Sequence, residues 1–128
     1  MPFAAKQGDR VLATDTHLIQ PPGTTPPVPV PHPFTGIIDG GLSGDVTIGG
    51  KPAATVGSTA TNTPPHLPLG GTFVNPPANR GTIVKGSATV LINGKGAARM
   101  GDTAKTCNDP VDLPGGTVVA AGTVEIGG

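Results

Sequence analysis

An all-β domain of three similar units, with little or no helix, is what this sequence predicts, and three observations lead there. A short phrase is written three times: Phe3-Ala4-Ala5-Lys6-Gln7-Gly8-Asp9, Pro52-Ala53-Ala54-Thr55-Val56-Gly57-Ser58 and Gly96-Ala97-Ala98-Arg99-Met100-Gly101-Asp102. Its shared core is Ala-Ala, two residues, Gly, then Asp or Ser; so regular a repeat implies a fold assembled from three units. A second recurring segment is Val-x-Ile, at Val46-Thr47-Ile48-Gly49-Gly50, Val90-Leu91-Ile92-Asn93-Gly94 and Val124-Glu125-Ile126-Gly127-Gly128. No window carries the apolar spacing of an amphipathic helix, and Gly or Pro interrupts almost every stretch of the chain.

The first phrase has no Val-x-Ile segment before it, and the last Val-x-Ile segment has no phrase after it. Each supplies what the other lacks, so the expected arrangement is a closed ring of three units with the chain cut inside one of them. Gly36-Ile37-Ile38, Thr82-Ile83-Val84 and Thr117-Val118-Val119 read as strands, each joined to a Val-x-Ile segment by a Gly-containing connection. Each unit is therefore expected as a β-hairpin, a tight turn at Gly-Gly or Asn-Gly, and then the phrase. The alanines allow close backbone approach where the units converge. The Gly that follows suits a conformation closed to other residues, and Asp or Ser can bond nearby backbone amides. Loops span residues 10–35, 59–80 and 103–115. The first holds Pro21, Pro22, Pro26, Pro27, Pro29, Pro31 and Pro33 and is expected as extended, polyproline-like chain over the surface. The second carries Pro64-Pro65, Pro68 and Pro76-Pro77.

A chain of 128 residues makes one domain, spanning 1–128. Eight basic side chains balance eight acidic ones, which argues against nucleic acid or an anionic membrane as the main partner. Three Phe and no Trp or Tyr leave little bulk for a core, so a metal, crosslinks or a partner is expected to add stability. Cys107 is the sole cysteine and excludes an intrachain disulfide; it fits assembly in a reducing compartment. No stretch approaches the roughly 20 apolar residues of a membrane span. The N-terminus lacks the basic-then-apolar pattern of a secretory signal, so any export would use another carrier.

All the histidine and cysteine lies in the three loops: His17 and His32 in the first, His66 in the second, Cys107 in the third. His17 and His66 each stand eight residues past the Asp9 or Ser58 that closes their phrase. A ring of three would bring these loops to one end, where four such ligands match the tetrahedral demand of Zn²⁺. A metal joining the loops would also order the long Pro-rich segments. The spacing itself matches no short zinc signature; Cys107 could instead be a buried small hydrophobe or a reactive thiol, although nothing near it marks a nucleophile. With all four side chains on one ion the site is closed and structural rather than catalytic. Asp9, Asp15, Asp102, Asp109 and Asp112 form no recognisable catalytic set and read as turn residues. The alternatives are a small metal-dependent hydrolase with an exchangeable ligand position, or a free-standing β-rich surface or adhesion module.

Over nearly its whole length the chain resembles the PAAR-repeat proteins, most closely at Ser87-Ala88-Thr89-Val90-Leu91-Ile92-Asn93-Gly94-Lys95-Gly96-Ala97-Ala98-Arg99-Met100-Gly101-Asp102. Phe3 and Gly96 replace the proline of the family's phrase, and Lys6 and Thr55 replace its arginine. The resemblance implies a small cone with pseudo-threefold symmetry on the blunt end of a trimeric β-helical spike, one copy per spike. Such spikes belong to contractile injection machines: type VI secretion systems, phage-like tails and extracellular contractile particles. It implies a structural, non-enzymatic tip that aids piercing of a target membrane, docked at its base by strand addition along the Val-x-Ile edges. It further implies assembly in the cytoplasm, delivery outside the cell, and no fused effector domain, since the last predicted strand ends the chain. In the family three histidines and one cysteine hold zinc near the apex; carried over, these are His17, His32, His66 and Cys107.

Overall fold

The computed structural model describes residues 2–23 and 25–127. Met1, Thr24 and Gly128 lie outside it, Gly128 being the last residue of the third Val-x-Ile segment. The strands are β1 (Arg10–Gln20), β2 (Val28–Gly40), β3 (Thr47–Ile48), β4 (Lys51–Pro52), β5 (Thr59–Asn62), β6 (Thr72–Phe73), β7 (Arg80–Ile83), β8 (Leu91–Ile92), β9 (Lys95–Gly96), β10 (Thr103–Thr106) and β11 (Leu113–Val119). The described residues contain no helix.

Strands β1, β2, β5, β7, β10 and β11 pair antiparallel in chain order, and β11 returns to β1, closing a barrel. Odd members leave a phrase and even members return to the next unit. All three phrases therefore lie at one end, the base, and the three loops at the other, the apex.

At the base the threefold repeat is carried by main-chain hydrogen bonds. Ala5 N donates to Ala98 O (2.9 Å), Ala98 N to Ala54 O (3.0 Å) and Ala54 N to Ala5 O (3.0 Å), a closed triangle. Around it, Ala4 N, Ala53 N and Ala97 N donate to Val124 O, Val46 O and Val90 O at 2.8, 3.0 and 3.0 Å. The C-terminal Val-x-Ile segment thus completes the N-terminal phrase, as the ring expectation required. The six alanines of the phrases are at most 2% exposed; a larger side chain would hold the three backbones apart. Gly8, Gly57 and Gly101 take φ of 91°, 96° and 90°, a region that only glycine enters freely. Asp9, Ser58 and Asp102 then accept from the amides of Lys6, Thr55 and Arg99 at 3.0, 2.9 and 2.8 Å. The phrase arginine has a local task here: Arg99 forks onto Asp102, with Nε–Oδ2 at 3.1 Å and Nη2–Oδ1 at 2.9 Å.

Two expectations about pairing are corrected. Thr47–Ile48 pairs forward across the Gly49-Gly50 turn with Lys51–Pro52, and Leu91–Ile92 with Lys95–Gly96, rather than back to the preceding strand. That preceding strand is used by the barrel: Ile37 and Ile38 face Thr61 and Ala60 of β5. Residues 10–35, expected as extended chain over the surface, are largely the β1–β2 pair, in register from Arg10↔Ile37 to Ile19↔Val28. Pro29, Pro31 and Pro33 are tolerated because they lie opposite Leu18, Thr16 and Thr14. Thr16 and Leu18 send their amides away from β2, to Asn108 Oδ1 (2.7 Å) and Asp109 Oδ2 (2.8 Å). Antiparallel pairs alternate between bonded and non-bonded positions, so the proline nitrogens also face outward, where a missing N–H costs nothing.

The barrel is narrow, and its core is layered. Ile48, Ile92 and Ile126 pack with Ala4, Ala53 and Ala97 at the base; Ile38, Ile83 and Val118 lie further in with Ala5, Ala54 and Ala98. One large side chain, Phe34 (1% exposed), fills the middle. Gly36 makes room for it, since a Cβ there would stand 2.7 Å from the Phe34 ring. The equivalent Gly116 is likewise closed to a side chain, with Ala104 O 3.0 Å from the position of a Cβ.

Candidate metal centre

Strand geometry assembles the apex cluster. Alternate residues share a face, so Asp15, His17 and Ile19 of β1 point into the barrel, as do His32 and Phe34 of β2; all five are at most 1% exposed. His66 reaches the same place from the second loop, its backbone N–H held by Asn79 Oδ1 at 2.8 Å. Cys107 (3% exposed) follows β10. The three histidine rings lie 5.0–5.5 Å apart, centre to centre. Phe73 of β6 packs on His17 and His32 from outside, at 5.7 and 5.6 Å, while Phe34 lies 6.1 Å from His66.

The structure therefore brings His17, His32, His66 and Cys107 into one buried cluster, and adds Asp15. Ligand atoms of Asp15, His17, His66 and Cys107 all lie within 4.8 Å of one another. Asp15, read from sequence as a turn residue, is fully buried mid-strand. Its Oδ2 lies 2.8 Å from His66 Nε2 and 3.3 Å from Cys107 Sγ. Its Oδ1 accepts from Thr106 Oγ1 and, at 3.5 Å, from Asn108 Nδ2. The signal for it was present in sequence: it stands two residues before His17, hence on the same strand face.

His32 does not share the tightest group, yet it is prepared as a donor. Its Nδ1 lies 2.9 Å from Val30 O, which fixes the proton there and leaves the Nε2 lone pair free. Among the described residues, His32 Nε2 and both nitrogens of His17 are buried without a hydrogen-bond partner. Buried polar atoms are rarely left so, and an ion among them would engage these lone pairs. Burial, followed by the nearby His66, lowers the His17 pKa and keeps the ring neutral, as a ligand must be. Burial and then the Asp15 carboxylate push the Cys107 thiol up to about 11, so without a cation beside it the sulfur keeps its proton. The chemistry of the set, three imidazoles with a thiol and a carboxylate, fits a borderline divalent ion.

A three-unit all-β barrel, closed at one end by a triangle of alanine backbones and at the other by a buried His/Cys/Asp cluster, defines the class. The chain belongs to the PAAR motif family, whose sequence profile matches residues 29–112. That stretch contains the second and third phrases, His32, His66 and Cys107; Asp15 and His17 precede it. No curated protein matches the chain in a sequence comparison.

Proposed function

We propose that this chain is the structural tip of a contractile injection machine, capping and sharpening a trimeric β-helical spike, one copy per spike, with Zn²⁺ as a structural ion at its apex. The observation that carries this reading is the base. A single chain presents a threefold pattern there: Val46, Val90 and Val124, equivalent in the three units, are 37%, 38% and 41% exposed. Three matching apolar contacts suit a partner that is itself threefold, and docking on one would remove them from water.

The apex supports the piercing role. Segments 11–35, 62–79 and 106–113 contain no Lys or Arg, and Leu67, Leu69, Val111 and Leu113 are 72%, 50%, 62% and 47% exposed. A surface with so few charges meets a bilayer at low desolvation cost. The burial of the cluster favours a structural ion over a hydrolytic one, which needs a position open to water and substrate. His17, His32, His66 and Cys107 would hold the ion and tie all three units together, so that the apex resists load. Cytoplasmic assembly and delivery outside the cell on the spike complete the reading.

The test is native mass spectrometry of the chain with a trimeric β-helical spike from the same source. The expected complex contains one copy of this chain per three spike chains and one zinc, and Val46→Asp with Val90→Asp abolishes it. Absence of a complex, or three copies per trimer, would overturn the proposal.

A further inference from the structure

Asp15 is anomalous for a structural cap. It is 0% exposed, and burying a carboxylate is costly unless a cation compensates it. No Lys or Arg occurs in the three apex segments. Among the described residues its close contact with a nitrogen side chain is to His66, whose Nε2 lies 2.8 Å away. Its oxygens face the cluster: Oδ2 lies 3.3 Å from Cys107 Sγ and 2.8 Å from His66 Nε2, and Thr106 Oγ1 holds Oδ1 in place. As a thiol, Cys107 donates to Asp15 Oδ2; once an ion displaces that proton, a thiolate stands beside the carboxylate, and the two repel strongly unless the cation lies beside both.

We infer that Asp15 is the charge-balancing carboxylate of the apex metal centre and sets its preference for a divalent ion. The inference rests on the metal reading above. A divalent ion with one thiolate and neutral imidazoles carries one net positive charge in a low-dielectric pocket; the Asp15 carboxylate brings the sum to zero. Asp109 does not serve this purpose. It stands outside the group of converging ligand atoms, and its Oδ2, 3.5 Å from His17 Nδ1, already accepts the Leu18 N–H at 2.8 Å. Thr106 and Asn108 are positioning residues that act through Asp15. With a neutral residue in place of Asp15, the same donors would balance a monovalent ion instead.

The experiment compares Zn²⁺ with Cu⁺, titrated under reducing, anaerobic conditions into the full chain and into Asp15→Asn and Asp15→Ser. In the unaltered chain Zn²⁺ binds at one ion per chain. In both variants Zn²⁺ affinity falls by about ten- to a hundredfold, the scale of losing an outer partner of a metal site, while Cu⁺ affinity is unchanged or rises. A purely structural role for Asp15 would weaken both ions equally, and that outcome overturns the inference, as does undiminished Zn²⁺ binding. Should the variants fail to fold without metal, refolding in the presence of each ion decides. Recovery with Cu⁺ and not with Zn²⁺ supports the inference; recovery with neither overturns it. Failure of the unaltered chain to bind Zn²⁺ would instead sink the metal reading itself.

Discussion

The base and the apex are built from the same three units by opposite means. At the base, equivalent residues do equivalent things: three alanine amides close a triangle, three glycines turn the chain, and three Asp or Ser side chains cap it. At the apex the units contribute unequally. The first supplies Asp15, His17 and His32, the second His66, the third Cys107. Main-chain bonds tolerate varied side chains, which is why the phrase can carry Lys6, Thr55 or Arg99 at one position. A side-chain cluster tolerates no such variation, and its strength depends on a handful of atoms. Symmetry therefore suits the threefold partner proposed for the base, and asymmetry suits a point on which four or five side chains converge.

The sharpest way to break the base is to separate its backbones. Ala98 is 0% exposed beside the triangle, and Ala98→Leu inserts three carbons where the neighbouring chains cannot retreat. Overpacking of a closed core costs roughly 3 kcal/mol or more. Chemical denaturation is expected to show that loss or no folded protein at all. A loss under about 1 kcal/mol would mean that the triangle yields, and that the ring is not the rigid half of the molecule.

Chelating the proposed ion tests the other half. Hydrogen exchange after chelation is expected to leave the amides of Ala5, Ala54 and Ala98 protected, while His66 and neighbouring second-loop amides exchange about tenfold faster or more, as a locally opened unit does. Re-adding Zn²⁺ should restore protection and release the Cys107 proton, because a thiol pushed up to about 11 is protonated at neutral pH until the ion displaces its hydrogen. Equal loss of protection at both ends would show instead that base and apex are one cooperative unit.

The two regions also differ in how much of them the sequence discloses. The base is legible because its signal is local: Ala-Ala, a Gly at positive φ and a capping side chain follow one another within a few residues. Its missing piece, supplied by Val124 to Ala4, follows from counting the repeats. The apex is legible only in part. Histidine and cysteine are conspicuous by type, but Asp15 resembles any turn aspartate until β1 is known to be a strand. The proline content hid that strand's partner, β2, although Pro29, Pro31 and Pro33 alternate with Val30, His32 and Phe34. That period of two belongs to a strand rather than to polyproline. The hairpin partners are ambiguous in sequence for another reason. Gly36–Ile38 can complete either a local hairpin or the barrel, and only closure of the six-stranded ring decides between them.

A finer comparison lies within the base, where Asp9, Ser58 and Asp102 are equivalent in position and differ in environment. Ser58 is 0% exposed, accepts from Thr55 N at 2.9 Å and donates to Gly41 O at 2.8 Å. Asp102 is buried with its side chain 4% exposed, while the Asp9 side chain is 14% exposed, where water replaces lost partners more readily. Ser58→Ala leaves a buried donor and acceptor unpaired and is expected to cost about 2 kcal/mol. Asp9→Ala loses a more hydrated contact, expected at about 0.5 kcal/mol, with Asp102→Ala between them. Denaturation midpoints of the three variants give the ranking. Equal costs would mean that the cap's main-chain geometry alone matters; an inverted order would mean that the charged pairs, rather than burial, hold the phrases in place.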